Sequence, residues 1–515
     1  MNIQTYLQHQ ILLFDGAMGT YYAARNPRGE TRCEMANLTD PAEILAIHRA
    51  YLEAGCGAIK TNTFSANRPA LGEPLCAQVL QAGFSLAQEV AGNAFVFADI
   101  GLISVPDGVD LLEEYRFVTD QFLEAGAQYF LFETNSRDAG LHETAAYIKA
   151  QKPDAFIIVS FAPQPDGFTR EGQLVKRLYQ KAAQDPNIDA AGLNCASGAR
   201  HMAELVDTLE RHEDQILSVM PNAGYPIVLG RRAYYDGDPD YFASQMRELA
   251  EKGAGILGGC CGTTPEYMAA VMKTLSSGTV RKTVAPAAAK PRVQPPQENR
   301  FWAELCNPNR RPVAVELDPP EAADVTKFMA GARELQQSGA SIITIADCPI
   351  ARARMDASIL ACKIRRELHM EALPHMTCRD RNLNATKALL LGLCAEEIHN
   401  VLVVTGDPIP SASRDEVKSV YNFNSRMLAH YITALNETVL PTPFRVFGAL
   451  NLNAVNFGVQ LRLAQEKVEN GICGFLTQPV LTKRALENLK QARQQLNAKI
   501  LGGLSPLSAI ATPCL

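Results

Sequence analysis

Cys195, Cys260 and Cys261 are the residues of this sequence most suited to chemistry. Two of them are adjacent in Gly258-Gly259-Cys260-Cys261-Gly262, and the third ends Gly192-Leu193-Asn194-Cys195. Three thiolates from two loops can hold one zinc ion and leave a fourth position open, the arrangement of a catalytic rather than a structural zinc. Vicinal cysteines in a regular strand point to opposite faces, so both reach one metal only where the backbone is irregular. The flanking glycines permit that irregularity. The alternative is a pair of buried core thiols beside a glycine turn, and a third cysteine closing another strand favours the metal. Zinc lowers the pKa of a bound thiol until it is a thiolate at neutral pH, which makes an incoming substrate thiol a nucleophile. The chemistry expected is alkyl transfer to sulfur. If the thiol belongs to an amino acid, its ammonium group needs an anionic partner, and Asp15 and Glu133 are the candidates.

These residues must be positioned by something. Residues 1 to 280 alternate short Val/Ile/Leu/Phe-rich runs with stretches of helical periodicity. Eight strands are expected: 11–14, 58–61, 95–100, 128–132, 156–160, 190–193, 216–220 and 255–257. Between them lie helices such as 41–54, opened by Thr39-Asp40 as a cap, and 112–124. Eight such units predict a (β/α)8 barrel, in which reacting groups sit at the carboxyl ends of the strands. Asp15-Gly16, Asn62-Thr63, Glu133-Thr134-Asn135, Asn194-Cys195 and Cys260-Cys261 all fall there.

Residues 281–298 are rich in Ala, Pro, Lys and Arg without apolar periodicity and read as a semi-extended linker. Beyond it, over 299–515, the alternation resumes with strands expected at 313–317, 341–346, 372–377, 401–405, 444–449, 472–477 and 499–503. The fold class is therefore α/β, two TIM-type barrels in tandem, the second lacking its last strand. An open seven-stranded sheet exposes strand edges, and a less stable second domain with weak retention of any bound cofactor is expected.

The chain has 515 residues, 47% of them hydrophobic and 20% charged, as in a globular protein. A formal charge of −6 argues against nucleic acid, and no run of 18 apolar residues suggests a membrane span. Thirteen cysteines, most of them single within apolar runs, argue against a disulfide framework. The opening residues lack a basic stretch followed by an apolar core, and a cytoplasmic location is expected. Small molecules are the expected partners, and a homo-oligomer is compatible with the composition.

The first half resembles the homocysteine S-methyltransferase family on Asp15-Gly16-Ala17-Met18-Gly19-Thr20, Thr61-Asn62-Thr63-Phe64, Phe132-Glu133-Thr134-Asn135, Gly192 to Cys195 and Gly258 to Pro265. The resemblance implies zinc on Cys195, Cys260 and Cys261, with Asp15, Gly16, Asn62, Thr63 and Glu133 around homocysteine. The methyl donor stays open among S-methylmethionine, betaine and methyltetrahydrofolate. The second half resembles the methylenetetrahydrofolate reductase family on Val313 to Pro320, Ser341 to Thr344, Pro374 to Cys378, Val404 to Pro408 and Thr477-Gln478-Pro479. That resemblance implies FAD held by Thr344, His375, Thr405, Gly406, Asp407 and Lys467. It also implies a pterin held by Asp407 and Gln478, Glu316 as general acid, and NAD(P)H as reductant. Hydride transfer needs a cofactor, because no unmodified side chain accepts and passes on a hydride. Around Lys467, Gln465-Glu466-Lys467-Val468 offers one cation where the family often has neighbouring basic residues, and Glu466 has the wrong sign for a phosphate. Two other readings stand beside this one. The first barrel could methylate a different thiol or selenol, with an inactive reductase half, or the three cysteines could store zinc or sense redox state without catalysis.

Overall fold

The computed structural model describes residues 2–27, 30, 32–106, 108–212, 214–229, 232–235, 237–276, 299–409, 419–420 and 423–505. The expected linker, 281–298, lies outside them. The chain divides into two units, Met1–Ala289 and Lys290–Leu515.

In the first unit, strands β1 (Leu12–Leu13), β2 (Ala58–Lys60), β3 (Phe95–Ile100), β4 (Tyr129–Asn135), β5 (Phe156–Phe161), β6 (Ala190–Gly198) and β7 (Ile216–Asn222) precede an antiparallel hairpin, β8 (Pro226–Leu229) and β9 (Arg232–Tyr235). The last barrel strand is β10 (Ala254–Leu257). Eight of these pair in parallel in the order β1-β10-β7-β6-β5-β4-β3-β2. A bridge between Phe14 and Ala58, with Asp15 N–H donating to Ala58 O at 3.0 Å, joins β1 to β2 and closes the barrel.

Successive side chains of a strand point to opposite faces, and here both faces are apolar. Leu12, Phe14, Phe95, Phe97, Phe156 and Ile158 fill the barrel interior, while Leu13, Val96, Ala98, Ile157 and Val159 pack outward against the helices. Ile3 and Leu7, on the helix Ile3–His9, join the interior cluster. The helix Pro41–Glu53 begins where the sequence predicts, with Asp40 at its N-cap, but the Asp40 side chain caps nothing. Pro41 starts this helix instead, since its ring presets the helical φ and it has no N–H to satisfy. Asp110 does cap the helix Leu111–Glu124, accepting from Leu112 N–H at 2.9 Å.

His48, on the helix Pro41–Glu53, is fully buried and neither ring nitrogen has a partner. Burial pushes its pKa down to about 4 from the ordinary 6.5. Unfolding restores the ordinary value, so this contribution to stability is present above pH 6.5 and is lost as pH falls towards 4. The loss should be about 3 kcal/mol for a fully buried group. Denaturant titrations at pH 7 and pH 4 check it: a His48→Leu chain should lack that share of the acid destabilisation.

The second unit has seven parallel strands, β11 (Ala314–Glu316), β12 (Ile342–Ile345), β13 (Glu371–Thr377), β14 (Asn400–Val404), β15 (Arg445–Leu450), β16 (Gly474–Pro479) and β17 (Lys499–Gly503). They pair in sequence order, and among the described residues β11 and β17 do not pair with each other. The sheet nonetheless curves around one interior cluster of Phe301, Ile342, Leu373, Leu402 and Phe447, which Ala314 and Leu501 join from the two outermost strands. Two parallel barrels, one of eight strands closed by the Phe14–Ala58 bridge and one of seven strands nearly closed, therefore follow one another along the chain. No helix among the described residues is long and apolar enough to cross a membrane.

Candidate active site

Cys195 sits within β6 and Cys260-Cys261 follow β10 after Gly258-Gly259, so topology brings them to one end of the barrel. Their three sulfurs lie within 4.8 Å of one another. Cys195 Sγ and Cys261 Sγ are 3.8 Å apart, the separation of two thiolates on a tetrahedral zinc with bonds of about 2.3 Å. Cys260 is buried, whereas Cys195 and Cys261 are half-buried, which leaves an open side to the cluster. The residues present fit the metal.

The backbone reaches this geometry by leaving regular extension. Cys195 and Ala196 adopt φ of 56° and 57°, and the β6–β7 register shifts between Asn194 and Gly198. Left-handed backbone at non-glycine residues costs on the order of 1–3 kcal/mol each and persists where neighbours fix it. Here Asn194 does the fixing: it accepts from Thr134 N–H at 2.8 Å and donates to Thr134 Oγ1 at 2.7 Å and to Glu133 Oε2 at 3.3 Å. Around the cysteine pair, a Cβ on Gly259 would lie 2.3 Å from Thr263 Oγ1. One on Gly262, whose φ is 82°, would lie 2.3 Å from the Tyr235 ring. The hairpin thus lays the Tyr235 ring against Gly262, beside the cluster. Hydrogen bonds from Cys195 and Cys260 favour the thiolate of Cys261 most, Tyr235 and Lys60 add to the effect, and burial opposes it.

Beside the sulfurs lies a buried set of charges. Lys60 Nζ stands 3.8 Å from Asp15 Oδ1, 3.6 Å from Glu133 Oε2 and 3.5 Å from Gly259 O. Burial raises Asp15 to about 7 against the pull of Lys60, and it raises Glu133 as well. Asp99 is held well above its ordinary value too, by burial first and then by the charge of Glu133. Burial disfavours the Lys60 ammonium, yet Glu133 and Asp15 outweigh it and raise its pKa. Asp15 and Glu133 thus converge as expected, while Lys60 and Asp99 were not foreseen. Asn62 and Thr63 spend their hydrogen bonds on the framework: Asn62 donates to Cys33 O and Asn37 Oδ1, and Thr63 to Asp99 O. Gly16 has no room for a side chain, since a Cβ would lie 2.5 Å from Thr263 Oγ1.

In the second unit Glu316 and Thr344 are register partners on β11 and β12. Burial, then the charge of Asp318, raises the Glu316 carboxyl. His375 is pushed down to about 4 by burial, and its Nε2 has no partner. Thr405 and Lys467 line one cleft of about 200 Å³ with Asn424, Arg426, Ala449 and Gln460. Gly406 and Asp407 follow Thr405 in the chain but are not among its walls. Asp407 Oδ2 accepts from Ile350 N–H at 2.9 Å, and Gln478 is exposed on β16. Arg426 supplies the second cation that the sequence around Lys467 lacks, and it pairs with Glu466, cancelling the unfavourable charge. It lies on the helix Ser425–Thr438, remote in sequence from Lys467, and only the packing joins them.

Comparison with known proteins bears on both units. Methionine synthase from Mycobacterium leprae (strain TN) is 32% identical over 312 residues, covering 53% of this chain and 25% of that protein. Methionine synthase from Mycobacterium tuberculosis (strain ATCC 25618 / H37Rv) is 31% identical over 305 residues, with the same coverage. The chain thus spans about a quarter of the length of these relatives. Crystal structures of the homocysteine methyltransferase MmuM from Escherichia coli, in metallated and oxidized forms, match with a TM-score of 0.44 at 22% identity, over 53% of this chain and 99% of theirs. The methylenetetrahydrofolate reductase family model matches residues 304–511, and the homocysteine S-methyltransferase model matches residues 12–275. The latter is more than half of the chain, which therefore belongs to the homocysteine S-methyltransferase family and carries a methylenetetrahydrofolate reductase domain behind it.

Proposed function

We propose that the first unit methylates homocysteine to methionine at a zinc held by Cys195, Cys260 and Cys261. The observation that carries this reading is the three-sulfur cluster, with its 3.8 Å separation and open side. Bound zinc supplies a site at which the substrate thiol loses its proton and is held as a thiolate. The chain's own residues do the rest. Asp15 and Glu133 receive the substrate ammonium, and Asn194 holds Glu133 in place. In the transfer, a sulfur–carbon bond forms as the donor's bond to its methyl group breaks, and the donor leaves with the bonding pair. A sulfonium or ammonium donor leaves neutral, which eases the step. Zinc content, together with methionine formation from S-methylmethionine, betaine and methyltetrahydrofolate in turn, tests the reading. No methionine from any of the three, with zinc bound, would refute it.

The second unit, in the same reading, reduces methylenetetrahydrofolate to methyltetrahydrofolate. Bound FAD supplies the hydride relay from NAD(P)H. Lys467 and Arg426 would hold its phosphates, the part of the cofactor that a small cleft with two cations suits. Thr344, His375, Thr405, Gly406 and Asp407 belong to the same proposed site, with Asp407 and Gln478 towards the pterin. Glu316, whose raised pKa keeps its proton closer to neutral pH, would give that proton to the folate nitrogen as its ring opens. Arg426→Ala should weaken FAD binding about tenfold, the scale of one charge-assisted contact, read from flavin absorbance after dialysis. The twelve described cysteines are all free thiols, which suits a reducing, cytoplasmic setting.

A further inference from the structure

Lys60 is the only buried lysine or arginine among the described residues of the first unit, and it stands in a nest of acids. Asp15, Asp99 and Glu133 are all buried around it, and Asp15 Oδ1 and Asp99 Oδ1 have no hydrogen-bond partner. Its own ammonium is poorly matched. The three acceptors nearest Nζ lie at 3.5, 3.6 and 3.8 Å, beyond the ~2.7–2.9 Å of a charge-assisted hydrogen bond. An ammonium has three donors, and a buried cation without one short contact is an incomplete arrangement.

An α-amino acid would complete it. Its ammonium suits the oxygens of Asp15 and Glu133, but its carboxylate would enter a pocket of like charge. Lys60 is the group that can take that carboxylate, and two carboxylate oxygens offer it the short contacts it lacks. We infer that Lys60 is the recognition group for the α-carboxylate of the thiol substrate, so that the pocket selects a zwitterionic amino acid over a simple aminothiol. The inference rests on the proposed methylation of homocysteine, and it adds a residue and a selectivity to that reading. If Lys60 instead only neutralises Asp15 and Glu133, removing it weakens every thiol alike.

The test uses the full chain with cobalt(II) in place of zinc, because a fourth sulfur joining the three cysteines changes the sulfur-to-cobalt absorption without any methyl donor. Two probes are titrated: homocysteine, and aminopropanethiol, which is homocysteine without its carboxylate. The native chain should favour homocysteine about 10- to 100-fold, the worth of a charge-assisted hydrogen bond. Lys60→Met should bring the preference within about threefold while metal content is unchanged, and Lys60→Arg should restore most of it. Lys60→Gln, which keeps length and polarity, serves if the methionine variant does not fold. Equal binding of both probes by the native chain overturns the assignment of Lys60 alone. So does an unchanged preference in the variants, with both probes weakened alike. Binding of neither probe by the native chain overturns the homocysteine reading as well.

Discussion

Cys260→Ala should abolish zinc binding and, with it, methionine formation, the latter by about a thousandfold or more. The expectation follows from counting ligands. Three protein sulfurs and one substrate sulfur complete a tetrahedron, and with one sulfur removed two remaining cysteines compete poorly for the ion. Cys260 is the buried member of the three, so no solvent molecule replaces it easily. Alanine is the better substitution there, because a serine hydroxyl would add a buried polar group in need of a partner. Metal analysis of the dialysed protein and a methionine assay check both losses, with Cys362→Ala, on a helix of the second unit, as the control that should change neither. If zinc and activity survive in Cys260→Ala, the three sulfurs are core thiols and the proposed mechanism falls.

How much of this was readable beforehand differs between backbone and site. Strands buried on both faces announce themselves as apolar runs, and Phe95–Ile100 lies where the sequence places it. Strand β6 runs on to Gly198, past the apolar stretch that ends at Leu193, because its last residues are held by a shifted register rather than by apolar alternation. The hairpin β8–β9 was missed for a related reason: it belongs to the rim of the barrel and not to its repeating strand-helix pattern. That omission hid Tyr235, which only the hairpin brings to Cys261.

Among the site residues, the cysteines were legible because a glycine frame around adjacent thiols has few other uses. Asp15 and Glu133 were legible because each ends an otherwise apolar run. Lys60 was not, although it stands one residue before Thr61-Asn62-Thr63, since a lysine at a strand end ordinarily turns its ammonium to water. Its burial depends on Asp15 and Glu133 arriving from β1 and β4, a convergence that no local pattern carries. Asp99 did leave a signal, as the one acid within the apolar strand Phe95–Ile100.

Glu133→Gln should raise the KM for homocysteine about 10- to 100-fold while leaving zinc content unchanged. The substitution keeps size and one acceptor oxygen but removes the charge, and a hydrogen bond to a charged group contributes about 1.5–3 kcal/mol. Glu133 is buried, accepts from Asn194 and stands 3.6 Å from Lys60 Nζ, so its charge acts where water screens little. With glutamine there, Lys60 keeps Asp15 as its neighbour, and the substrate ammonium meets one carboxylate fewer. The three sulfurs are untouched, which is why metal binding should persist and why the effect separates from that of Cys260→Ala. Steady-state kinetics beside metal analysis check the pair of outcomes. An unchanged KM would remove Glu133 from substrate binding and make it a strut for β6, whereas loss of zinc would tie it to the metal site through Asn194.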